Sequence, residues 1–175
     1  MPRLAAFPDS AGAASKAVPF HLEQSERKPP PAKVLSVQVE NELFQFTNAK
    51  RAQKKLLPLS EEDLLVSIAR AHSQDMLRRN YLSHFSPEGK SVVDRYGMKA
   101  GNIRRSLGEN LHTISSSEGL RDSNAVAGTM IKDWMNSSSH RKNILSKEYR
   151  YGGVGCASDL SQIYCTGVFA GPKYR

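Results

Sequence analysis

Apolar residues recur at helical spacing from Val34 onward: Leu35, Val39, Leu43 and Phe46 stand four, four and three apart, the stripe of an amphipathic helix. A second stripe, Leu64, Leu65, Ile68, Ala69, His72 and Met76, predicts a helix over about Glu61 to Arg79. Ser60 is its expected cap, and Glu61, Glu62 and Asp63 fill the first turn, where the helix dipole favours acids. His72 falls among apolar neighbours and reads as a packed, hydrogen-bonded core histidine rather than a ligand. Residues 83–89 contain Pro and Gly and predict a loop, followed by a short helix over about Ser91 to Met98. Residues 106–113 suit a strand, weakened at Gly108, and a serine-rich loop follows. Val126, Met130 and Trp134, with Ala127 and Ile131 beside them, predict a further helix capped near Ser123 and place Trp134 in the core. The chain then reads as a hairpin, Tyr151 to Ala157 and Gln162 to Phe169, turning through residues 158–161. Helices flanking a small antiparallel sheet make an α+β fold.

Residues 1–33 break this pattern. They hold six of the nine prolines, Pro29-Pro30-Pro31 included, and show neither helical nor strand period, so they are expected to form a disordered, proline-rich spacer ahead of one domain over residues 34–175. The first residues carry one arginine and no apolar run of about 7 to 15 residues, so no signal peptide is read there. No stretch approaches the roughly 18 consecutive apolar residues of a membrane-spanning helix.

A balance of 25 Lys and Arg against 17 Asp and Glu gives a net charge of +8, which favours solubility and weak attraction to anionic polymers or membrane surfaces. The basic pairs Arg78-Arg79 and Arg104-Arg105 read as solvated surface, and without an interleaved aromatic platform no specific nucleic-acid binding is expected. Two cysteines are too few for a disulfide scaffold or a cysteine zinc site. Counting outward from the hairpin turn puts Cys156 opposite Cys165, an arrangement that suits a cross-strand disulfide or two buried free thiols.

Five segments in order carry a resemblance: residues 69–76 (ARAHSQDM), 83–90 (SHFSPEGK), 108–111 (GENL), 134–145 (WMNSSSHRKNIL) and 152–156 (GGVGC). Together they resemble the bacterial branch of the CAP superfamily, which includes cysteine-rich secretory proteins, antigen 5 and the pathogenesis-related plant proteins. The resemblance implies a three-layer α-β-α sandwich and a secreted or cell-envelope location. It also implies that His84 and Glu109 face one cleft, with His140 turned toward it and Tyr164, Asn110, Asn136, Ser137 and Arg141 supporting it. Animal and plant members have a second glutamate where this chain has Ser137 and a second histidine where it has Tyr164. Bacterial members usually read Tyr-Trp-Thr-Gln where this chain has Tyr164-Cys165-Thr166-Gly167.

Two imidazoles and a carboxylate suit binding of Zn2+ or another divalent cation, or proton sharing near neutral pH. One reading is therefore a non-catalytic binding module for a lipid, an envelope polymer or a protein partner. The alternative is a metal-assisted hydrolase of peptide or cell-wall material, with His84 and His140 on the metal and Glu109 as general base. Serine catalysis is disfavoured, because Ser83, Ser86 and residues 137–139 stand where capping serines stand. His112 follows Glu109 by three, so in a regular strand it points to the opposite face and is left out of the site. Asn136, Arg141 and Asn143 read as a polar cluster fixing the loop that carries His140.

Overall fold

The computed structural model describes residues 31–101 and 104–174. The expected spacer lies outside the described residues, apart from its last three positions; there Pro31 is the N-cap of helix α1 (Ala32–Gln53), so the domain starts slightly earlier than the apolar stripe suggested. Strand β1 (Ser60–Glu61) and helices α2 (Asp63–Arg79) and α3 (Val92–Ala100) follow, then β2 (Leu107–Ser115), α4 (Ser123–Asn136), α5 (Ser138–Ile144), β3 (Tyr151–Ser158) and β4 (Gln162–Ala170). The strands form one sheet in the order β1-β3-β4-β2. The sheet is mixed rather than antiparallel throughout, because Ser60 and Glu61, expected to cap and open α2, pair in parallel with Tyr151 and Gly152.

Side-chain alternation along β4 sorts the core into two layers. Ile163, Cys165 and Phe169 pack toward α1 and α4, with Leu35, Val39, Leu43, Met130 and Trp134 all completely buried. Val168 and Ala170 face α2, against Leu65, Ile68 and Ala69, while Tyr96 of α3 closes that layer. Each large side chain removed from water contributes roughly 1.5 to 3 kcal/mol, so the two apolar faces hold the three layers together.

Layer spacing on the α2 side depends on glycine. A Cβ on Gly155 would lie 2.1 Å from the Arg70 backbone nitrogen and 2.5 Å from the Ala69 carbonyl carbon, so α2 lies directly on the β3 backbone. Cys156 and Cys165 are cross-strand partners in the β3–β4 pair and form a disulfide, one of the two states the sequence left open.

Two arginines are buried, one of them expected at the surface. Arg105 is not solvated: its side chain is completely buried, paired with Glu62, donating to Gly171 O and packed over the rings of Tyr96 and Tyr151. Arg51, in the last turn of α1, is buried as well and donates to the carbonyls of Leu57, Ile144, Ser146 and Tyr149.

Gly155→Ala is expected to lower the unfolding free energy by about 2 to 4 kcal/mol, because backbone atoms rather than flexible side-chain ends must move. Urea denaturation of both proteins measures it, and a loss below about 1 kcal/mol would show that α2 shifts freely on the sheet.

Candidate functional site

Glu109 sits in β2, the outer strand on its side of the sheet, and its side chain is 3% exposed. A carboxylate this deep needs charged or hydrogen-bonding partners. One oxygen accepts from His84 Nδ1 at 2.9 Å and the other from Arg95 Nη2 at 2.5 Å. With Nδ1 carrying the proton toward Glu109, the free nitrogen of a neutral His84 ring is Nε2, on a side chain 51% exposed. The result is a histidine at the mouth, aimed by a carboxylate beneath it.

Arg95 was not singled out in the sequence, where the short helix was placed after the loop with no role given to its residues. Its guanidinium also donates to the carbonyls of Lys90 (2.8 Å) and His84 (3.3 Å), so it clamps both ends of the His84 loop. A capping box between Ser91 and Asp94 starts α3 and sets the position of Arg95. His72, expected in the core, is 2% exposed and donates from Nε2 to Ser83 O at 2.9 Å, holding the residue before His84. Burial, with the nearby Arg95 charge second, pushes the His72 pKa below the ordinary histidine value.

His140 approaches from the other side. It lies on the short helix α5 rather than on the expected loop, half-buried, and no hydrogen bond joins it to His84 or Glu109 among the described residues. Burial, then the charges of His84 and His112, lower its pKa below the ordinary histidine value. Asn110, completely buried, donates to His140 O at 3.1 Å and accepts from Asn143 at 2.9 Å; Asn143 also donates to Glu109 O at 3.1 Å. Arg141 bonds Met135 O at 2.7 Å across the α4–α5 junction. Ser137 faces Ser139 at 3.2 Å, and Asn136 is exposed at the end of α4. Tyr164 packs with Met76 and Leu111, its hydroxyl 3.4 Å from Asn80 Oδ1; it pairs with Thr113, whereas Glu109 pairs with Val168, so it stands beside the start of the His84 loop rather than against Glu109. His112 lies on the other face, bonded to Thr113 O and to Asp133.

Beside this cleft a groove of about 450 Å³ runs between α2, the 83–90 loop and α3. Ile68, Ala71 and Met98 give it apolar surface, Lys90 and Lys99 flank it, and Arg95 is shared with the cleft. No group of three His, Cys, Asp or Glu side chains among the described residues is arranged to hold a metal. No described helix is long and apolar enough to cross a membrane.

The model of the CAP, cysteine-rich secretory protein family matches residues 44–169, which run from within α1 into β4 and include His84, Glu109 and His140. The chain belongs to this family. The CAP domain here is 38% identical over 117 residues to the uncharacterized protein YkwD of Bacillus subtilis (strain 168), covering 66% of this chain and 41% of that protein. It resembles the crystal structure of an extracellular SCP-domain protein from Bacillus anthracis at 28% identity and a TM-score of 0.66, over 83% of this chain and 45% of that one. An outer surface protein from Borrelia burgdorferi shares the fold at 17% identity and a TM-score of 0.63, over 75% and 90% of the two chains. The chain thus spans less than half the length of YkwD and of the Bacillus anthracis protein.

Depressed pKa values at His72 and His140 set a pH dependence for this CAP domain. Between those values and the ordinary value of about 6.5, the unfolded chain binds protons that the folded one refuses, so stability rises with pH there and is lost as pH falls below about 6.5. Urea titrations from pH 8 to 5 are expected to show this decline, with a shallower slope in His72→Gln; an unchanged slope in that variant would remove His72 as a contributor.

Proposed function

We propose that this CAP domain is an exported binding module whose cleft and adjoining groove engage a lipid, an envelope polymer or a protein partner without turning it over. The observation that carries the reading is the state of Glu109: it is buried, and each of its oxygens is already engaged, one by His84 and one by Arg95. A general base must reach a water or substrate proton within about 3 Å. Glu109 is instead placed to aim an imidazole, the work of an orienting partner. This geometry counts against the hydrolase alternative with Glu109 as base. Export is supported by the Cys156–Cys165 disulfide, a bond that persists in oxidising compartments, and by the extracellular Bacillus anthracis protein of similar sequence.

The donor set fits a divalent cation such as Zn2+ in a limited way. His84 Nε2 and the His140 ring would supply two imidazole ligands, with Glu109 holding the His84 tautomer from behind. A bound cation would add a point of attachment for an electron-rich ligand group. The Arg95 charge, against the same carboxylate, weakens any cation there relative to a site with three protein ligands.

Calorimetric titration of Zn2+ into metal-free protein at neutral pH is expected to show binding that His84→Ala and His140→Ala each abolish and Glu109→Gln weakens by about 10-fold or more. Sedimentation with isolated envelope material is expected to survive both a chelator and Glu109→Gln, with no release of labelled peptide or cell-wall fragments. Turnover abolished by the chelator and by Glu109→Gln, in protein whose melting curve shows it folded, would overturn the binding reading in favour of hydrolysis.

A further inference from the structure

A second surface is marked by charge. The end of α1 presents Lys50, Lys54 and Lys55, and the stretch from α5 into β3 presents Lys142, Lys147 and Arg150. Lys50 is half-buried and the other five are exposed. None of the six takes part in an ion pair among the described residues, and the one acid in these two stretches is Glu148.

The two stretches are far apart in sequence and are fastened together by Arg51. Its side chain, 1% exposed, donates to Ile144 O at 2.8 Å, Ser146 O at 2.9 Å and Tyr149 O at 3.2 Å. Burial, and secondarily the charge of Arg150, push the Arg51 pKa down, which places Arg150 within electrostatic reach of the end of α1. A buried guanidinium thus brings two cationic segments side by side, against their mutual repulsion. Helix dipoles account for the cations in the last turns of α1 and α5, Lys142 included, but not for Lys147 and Arg150.

From this we infer that the face formed by the end of α1 and residues 142–150 binds a linear phosphate-rich polyanion. The physical basis is counterion release: several unpaired cations on one face neutralise successive phosphates and free the ions condensed on them. The surroundings favour such a polymer over other anionic partners. Leu57 is the one large apolar side chain prominently exposed beside these stretches, too little for insertion into a bilayer, and the exposed aromatic ring next to them, Tyr151, already packs against the Arg105 guanidinium rather than standing free as a base-stacking platform. This surface is separate from the His84 cleft, and its occupancy stands whether or not the cleft binds a ligand.

The test titrates inorganic polyphosphate into the full chain at several salt concentrations. The wild type is expected to bind with a log-log salt slope of about −3 to −4, as four to six phosphate contacts on a single-stranded polyanion give. Lys54→Gln with Lys55→Gln, and Lys142→Gln with Lys147→Gln, should each weaken binding by roughly 10-fold. The charge-matched control Lys132→Gln with Lys173→Gln, exposed positions outside the two stretches, should change it by less than about twofold. His84→Ala with His140→Ala should leave it intact, which separates this face from the cleft. The inference is overturned by absent wild-type binding, by equal losses in control and patch variants, by loss in the histidine double variant, or by tighter binding to duplex DNA or phosphatidylglycerol vesicles than to polyphosphate.

Discussion

A carboxylate that is 3% exposed costs several kcal/mol in desolvation unless its charge is answered, and the cleft is organised around answering Glu109. Arg95 supplies the opposite charge, and His84 supplies a second donor. Because Arg95 also binds the carbonyls of His84 and Lys90, the group that neutralises Glu109 is the one that holds both ends of the His84 loop. Loop, helix α3 and strand β2 therefore form one unit. Removing any of the three partners leaves a buried charge or donor unmet, so the mouth histidine inherits its position from electrostatics beneath it rather than from packing around it.

The loop is fixed from its other side by groups that carry no chemistry of their own. Asn80 adopts a left-handed conformation at the C-cap of α2, which turns the chain, and Tyr81 bonds back to Asp75. His72 then takes Ser83 O. Across the sheet edge, Trp134 donates to Leu111 O and Asn143 to Glu109 O, so side chains of α4 and α5 occupy backbone acceptors of the outer strand. An outer strand with open acceptors is a template for unwanted pairing, and covering it also seats His140 beside Glu109's strand. One arrangement covers the sheet edge and anchors the backbone of His140 to it.

The parts of this molecule legible in the sequence are those with a period. Leu35, Val39 and Leu43 repeat every four residues, and Cys156 and Cys165 face each other because a hairpin can be counted from its turn. Parity along β2 separates His112 from Glu109, as the structure does. Two-residue β1 has no period to read, so Ser60 and Glu61 looked like the start of a helix. Arg51 and Arg105 escaped because a buried arginine is defined by distant partners: Arg51 meets carbonyls more than ninety residues away, a relation that local spacing does not encode. Helix α5 was hidden by three consecutive serines, a run as suited to a turn as to a helix start.

Cations serve opposite purposes in this domain according to their partners. Arg95 and Arg105 are spent inside, against Glu109 and Glu62, where each charge is cancelled and adds nothing to the field at the surface. Arg51 is spent inside on carbonyl dipoles alone, so its charge is solvated by the backbone but not cancelled. It therefore reinforces the positive potential that the exposed lysines around it create, within a low-dielectric setting where screening by salt is weak. Replacing Arg51 by an apolar residue would remove that contribution and at once release the 144–149 segment it holds, so one side chain both adds to the field of this face and fixes its shape.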